Sequence, residues 1–174
     1  QAEVLAERLA TALRSGKQAS KMPVPHRTLQ AQHVNIPFAS HQTTVLLGQL
    51  AIDQHDPNLP ILMLGNHVFG GGMDSVLFNT VRSQHGWAYS VNSQMFPLQK
   101  SGPFLVMLQT QHDMPSKVID VVQVELSKFV RNGPSFEQLQ RARIQFLGQL
   151  YRSLSTNRGF LRWVLAEAFY HDCI

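Results

Sequence analysis

Between Trp87 and Gln111 the chain carries two strand-like runs joined by a short turn, and this unit restricts the accessible folds more than any other. Trp87 to Phe96 alternates, with Trp87, Tyr89 and Val91 on one face and Ala88, Ser90 and Asn92 on the other. Gln99-Lys100-Ser101-Gly102 supplies turn chemistry, and Pro103 to Gln111 supplies the return strand. Strands this close in sequence pair antiparallel, because a parallel crossover needs a far longer connection.

Helical patterns flank the hairpin in blocks. Upstream, Asp56-Pro57-Asn58 is a turn-plus-cap signal before the apolar run Leu59 to Val68. After Gly70-Gly71-Gly72, Asp74 or Ser75 can cap a helix reaching about Gln84, with Val76, Leu77, Phe78 and Val81 as its stripe. Gly86 suits its left-handed end. Downstream, Pro115 opens a helix faced by Val118, Ile119, Val122, Leu126 and Phe129, and Asn132-Gly133-Pro134 stops it. Ser135 with Gln138 forms a capping box for a helix carrying Leu139, Ala142, Phe146, Leu147 and Leu150. A last apolar helix covers Gly159 to Phe169.

Residues 2–15 predict a helix with Val4, Leu5, Leu9, Ala12 and Leu13 on one face, and residues 16–28 a linker. Leu29 to Ile36 and Gln42 to Ile52 read as a further strand pair, the second apolar on both faces and therefore central. Paired strands alternating with paired helices imply an α+β fold, an antiparallel or mixed sheet covered on one face by helices. The repeated strand-strand-helix-helix order hints at an internal duplication, without matching residues to support it.

Composition narrows the chemistry. At 174 residues, with 44% hydrophobic and 15% charged residues, the chain is long enough to bury one core and too apolar for a disordered segment. No apolar run has the length of a membrane span. The single cysteine, Cys173, excludes an intrachain disulfide framework and a cysteine-rich zinc site. The net charge of +4 permits attraction to anions without establishing it. Arg141, Arg143, Arg152, Arg158 and Arg162 are spread along amphipathic helices, the pattern of a solvated face rather than a nucleic-acid site.

Eight histidines are present, yet no two are closer than seven positions, and neither H-E-x-x-H nor its inverse H-x-x-E-H occurs. Helical zinc sites need ligands three or four residues apart, so these read as surface and loop histidines. The glycine cluster lacks the G-K-[S/T] of a phosphate loop and follows a helix, which suits a tight helix-to-helix connection. No serine lies in G-x-S-x-G.

One stretch can bring polar chemistry together. Arg82 falls near the end of a helix, and Tyr89 stands seven residues later on a strand across the Gly86 turn. Arg offers a planar donor fork for a peptide carbonyl or terminal carboxylate, and Tyr a donor for a developing oxyanion. A helix-capping Arg and a half-buried strand Tyr fit the same spacing.

Asp56-Pro57-Asn58-Leu59-Pro60, Gly70-Gly71-Gly72-Met73-Asp74-Ser75-Val76-Leu77-Phe78 and Val81-Arg82 through Gly86-Trp87-Ala88-Tyr89-Ser90-Val91 resemble the pitrilysin/insulinase/mitochondrial-processing-peptidase family of zinc peptidases, the inverzincins. The resemblance continues through Gly102-Pro103-Phe104, Gly133-Pro134-Ser135-Phe136-Glu137-Gln138-Leu139, Gly148 and Ser155-Thr156-Asn157. It departs at Ser83, where the family has an acid, at Gln84 and His85, where basic residues are common, and at Ser75-Val76-Leu77, where S-R-L is usual.

The resemblance implies a metallopeptidase-like domain of processing-peptidase type. On that basis an N-terminal helix and linker would occupy 1–28, and a C-terminal peptidase-family domain 29–174, truncated at its C-terminal end. The first residues carry neither an initiator Met nor a signal pattern, which also suggests a piece of a longer protein. By the same resemblance, Arg82 and Tyr89 would bind peptide substrate, Tyr89 as an auxiliary oxyanion donor, in a chamber shared with a zinc-bearing N-terminal domain or partner subunit. Zinc would sit on that partner, and the fragment alone would show neither peptidase activity nor stoichiometric zinc. The alternative is a noncatalytic scaffold subunit, like the core proteins of the respiratory cytochrome bc complex. The family alone favours a bacterial periplasmic location.

Overall fold

The computed structural model describes residues 2–13, 16–17, 20 and 30–171. Most of the expected linker 16–28, the last two residues of the expected first helix, and Cys173 lie outside the described residues. The elements are α1 (Ala2–Ala12), β1 (Gln42–Leu50), α2 (Leu59–Gly70), a π-helical segment (Phe78–Gln84), β2 (Ala88–Met95), β3 (Pro103–Gln111), α3 (Pro115–Asn132), α4 (Phe136–Leu154) and α5 (Asn157–His171).

The β2–β3 hairpin forms as expected, and β1 joins it on the other side of β3, giving a three-stranded antiparallel sheet in the order β1-β3-β2. Register agrees with burial. Val45 pairs with Leu108, which pairs on its other side with Val91. This row lies on the helix-covered face, where all three side chains are buried. The hairpin end is tied to the end of β1: Ala51 N donates to Gly102 O at 2.7 Å and Gln54 N to Leu98 O at 2.8 Å.

Two strand expectations fail. Residues 31–39 form no strand, and Val34, Ile36 and Phe38 are exposed. With no neighbour on its outer side among the described residues, β1 is an edge strand and β3 is central. The apolar pattern of β1 misleads because Leu46, on the uncovered face, is 58% exposed. The repeated strand-pair order that hints at duplication is therefore absent among the described residues.

Helices α2 and α3 cover one face, α2 over β2 and α3 over β1 and β3, while α4 packs on α2 and α5 on α4. Their inward residues and those of the π segment, Phe69, Leu77, Val81, Val118 and Val122, meet Val45, Val91, Val106 and Leu108 in one core. Most of these side chains are branched valines, which pack well on a pleated surface. The expected apolar face of α1 finds no such partner among the described residues: Val4, Leu5, Leu9 and Leu13 are all exposed.

Helix punctuation largely agrees with the sequence. Ser135 Oγ accepts from Gln138 N at 3.2 Å while Gln138 Oε1 accepts from Ser135 N at 2.9 Å, the reciprocal capping box. Gly133 ends α3 at φ +70°. At α2 the cap differs. Asn58 makes no side-chain cap; instead Asp56 Oδ1 accepts from Asn58 N at 2.8 Å, fixing the turn before the helix.

Candidate functional site

The rim at the start of β2 is assembled by three local devices. Ser75 Oγ accepts from Phe78 N at 3.3 Å and starts the helical turns after the glycine loop. These widen into the π segment, where His85 N donates to Thr80 O at 3.3 Å, five residues back. Leu77 and Val81, both fully buried, anchor the segment, so Arg82 projects to the exposed side. Gly86 then reverses the chain at φ +65°, in the left-handed region favoured by glycine.

The third device is a β-bulge. Ala88 pairs with Thr110 and Ser90 with Gln109, leaving Tyr89 as the extra residue. Strict alternation predicts Tyr89 on the face of Val91; the inserted residue breaks that period, so Val91 is buried and Tyr89 is 71% exposed. Thr110 Oγ1 donates to Trp87 O at 2.6 Å and pins the strand entry.

The turn and the bulge bring Arg82 and Tyr89 together. The guanidinium carbon lies 4.9 Å from the Phe78 ring centroid and 5.6 Å from that of Tyr89. Each such contact is worth about 0.5–1 kcal/mol at an exposed site. Neither the guanidinium nor the Tyr89 hydroxyl has a hydrogen-bond or ion-pair partner among the described residues. They border an open groove of about 440 Å³ whose lining includes Gln42, Trp87, Gln109 and Gln111. The His85 and Trp87 rings stack beside it with centroids 4.2 Å apart.

The glycine cluster does something different. A Cβ on Gly70 would stand 2.6 Å from Ser93 N, so glycine lets α2 approach the backbone of β2. Ser93 Oγ donates to Asn66 Oδ1 at 2.6 Å across that contact. The loop after it is clasped by side chains. His67 Nε2 meets Gln145 Oε1 at 3.2 Å, and Gln145 Nε2 donates to Asp74 Oδ2 at 3.0 Å. Because the Asp74 side takes the amide N–H, the amide oxygen is the atom that faces the His67 ring. The space left there, about 20 Å³, admits one water and no phosphate group.

The sequence does not distinguish His67 from the loop histidines, yet it is buried, with the Phe146 ring edge-on at 6.0 Å. Its place inside the apolar run Leu59 to Val68 is the available signal. Among the described residues no three His, Cys, Asp or Glu side chains lie close enough to hold a metal. Arg141, Arg143, Arg152, Arg158 and Arg162 are exposed on α4 and α5, and Arg141 reaches Glu137 at 3.7 Å along its own helix.

The described residues thus combine a helix-covered antiparallel sheet, a close-packed glycine at the end of α2 and an Arg/Tyr rim. A family model described as the peptidase M16 inactive domain matches residues 1–146. The chain belongs to this family and matches its C-terminal, inactive domain. It is 30% identical over 146 residues to an uncharacterized zinc protease of Rickettsia bellii, covering 83% of this chain and 34% of that protein. It is likewise 30% identical over 124 residues to the uncharacterized zinc protease YmxG of Bacillus subtilis, covering 71% of this chain and 30% of the relative. The crystal structure of a peptidase M16 inactive domain from Pseudomonas fluorescens superposes with a TM-score of 0.82 at 31% identity, covering 98% of this chain and 40% of that one. The chain thus spans about a third of the length of these two curated relatives.

Proposed function

We propose that this chain forms the non-zinc-binding side of a zinc peptidase chamber, in which Arg82 and Tyr89 hold the main chain of an extended peptide. The observation that carries this reading is the rim itself. A guanidinium and a phenol share one edge of an open groove, their polar groups without partners among the described residues. The planar fork of Arg82 suits a substrate carbonyl, and the Tyr89 hydroxyl can donate to a second carbonyl or to an oxyanion. Among the described residues, strand β2, at whose start Tyr89 sits, is an edge strand, so an extended peptide could add beside it.

The described residues do not fit a zinc ion. The metal would lie on a second domain of a longer chain or on a partner subunit, and the names of the relatives as zinc proteases support that arrangement.

The test combines the full-length protein, with any zinc-bearing partner, and a quenched fluorescent peptide. Loss of one hydrogen bond to a charged group removes about 1.5–3 kcal/mol. Arg82→Ala should therefore lower kcat/KM about tenfold or more, and Tyr89→Phe should lower it while leaving the fold intact. Wild-type rates for both variants would remove the assigned roles and leave a scaffold subunit as the better reading.

A further inference from the structure

We infer that the groove beside Arg82 and Tyr89 takes a carboxylate, carried by the C-terminus or an acidic side chain of a peptide, rather than only neutral main chain. The inference rests on the reading that this rim meets peptide, and it names the chemistry that the rim selects.

Charge distribution carries it. Between Asp74 and Asp113 the sequence contains no Asp or Glu, and Gln42–Leu50 contains none either. All three strands and the π segment are therefore free of carboxylates. Among the described residues that line the groove, Arg82 is the one formally charged group, beside amides, Thr110, Trp87 and Tyr89. Two ion pairs, Lys128–Glu125 and Arg141–Glu137, run along single helices, and neither involves Arg82. An arginine in a structural role is ordinarily matched by an acid or a carbonyl. Arg82 has neither among the described residues, so its exposed N–H fork is open to a ligand.

Donor geometry agrees. The rings of Phe78 and Tyr89 occupy the neighbourhood of the guanidinium carbon. Contacts with the π faces leave the in-plane N–H fork available, and that fork matches the two oxygens of a carboxylate. Gln42 and Gln111, which are register partners, add neutral amide donors on the sheet side of the groove. Gln109 accepts from Ser90 Oγ at 3.4 Å through its Oε1, which leaves its Nε2 hydrogens for a ligand. Among the described residues the groove therefore presents one positive charge and an excess of donors, with no carboxylate in its lining.

The experiment measures anisotropy of labelled peptides on the full-length protein with zinc chelated, so that binding is read without cleavage. Three forms of one otherwise neutral sequence are compared: free acid, C-terminal amide, and amide with one internal Glu. Wild type should bind the free acid or the Glu peptide about ten- to a hundredfold more tightly than the neutral amide. The two charged forms distinguish a terminal from a side-chain source. The preference should vanish in Arg82→Gln and narrow in Arg82→Lys, which keeps the charge and loses the fork. Equal binding of all three forms by wild type, or a preference that survives Arg82→Gln, would overturn the inference. If all three bind alike and all weaken in Arg82→Ala, main-chain holding stands and the carboxylate selection falls. If none responds to Arg82 or Tyr89, both fall.

Discussion

Two glycines on one helix provide the most demanding check on the packing that positions the site. Gly65 and Gly70 both belong to α2, and the same substitution should act on them with opposite sign. At Gly65 a Cβ would meet nothing within 4 Å. Gly65→Ala should therefore only gain helix propensity, about 0.5–1 kcal/mol. At Gly70 the added carbon would stand 2.6 Å from Ser93 N, a backbone atom of β2 that no rotamer change can move away. Overpacking of this kind costs about 1–3 kcal/mol. The two variants should thus differ by roughly 1.5–4 kcal/mol, the sum of the two effects.

At about 2–4 °C per kcal/mol for a chain of this size, that separation is easily resolved by thermal melts monitored by circular dichroism. Urea titration of the same variants would show whether the slope stays constant, as it must if only stability has changed. Shifts of the same sign, or a Gly70→Ala protein as stable as wild type, would refute the close approach of α2 to β2. The seat of the π segment and its Arg82 would then need another explanation.

Two further perturbations test the local devices. Gly86→Ala has open space around the new Cβ, so its whole effect is the left-handed backbone, about 1–2 kcal/mol of destabilisation. Peptide affinity should fall with it, because this turn sets Arg82 against Tyr89; an unchanged melting temperature would contradict the assigned conformation. Ser135→Ala removes the acceptor for Gln138 N and should cost about 0.5–2 kcal/mol in a urea titration. It should leave peptide binding alone, since α4 does not line the groove.

Much of this domain can be read from local rules. The hairpin, the Pro115 helix start, the glycine stop after α3 and the capping box depend on residues within a few positions of one another, and each formed where its residues stand. The pairing of Arg82 with Tyr89 is legible for the same reason: a helix end, one left-handed glycine and a strand entry fix their separation. Inference about neighbours is what misleads. Leu46 and Leu50 look like central-strand residues, yet among the described residues β1 is an edge, and Val34, Ile36 and Phe38 look like a strand while residues 31–39 form none.

The sequence by itself determined most of the helices, the capping box of α4 and the glycine stop of α3, the antiparallel hairpin and the acid-free stretch around Arg82. Those properties depend on short-range stereochemistry and on composition, which the order of residues fully specifies. Tertiary structure decided which strand lies in the centre, that a bulge turns Tyr89 outward, that His67 is buried under a Gln145–Asp74 clasp, and that Gly70 is a packing glycine. Each depends on what lies across the sheet or beneath the helix. Partners separated by 19 to 78 positions, as in Ser90–Gln109 and His67–Gln145, leave no periodic trace in the chain.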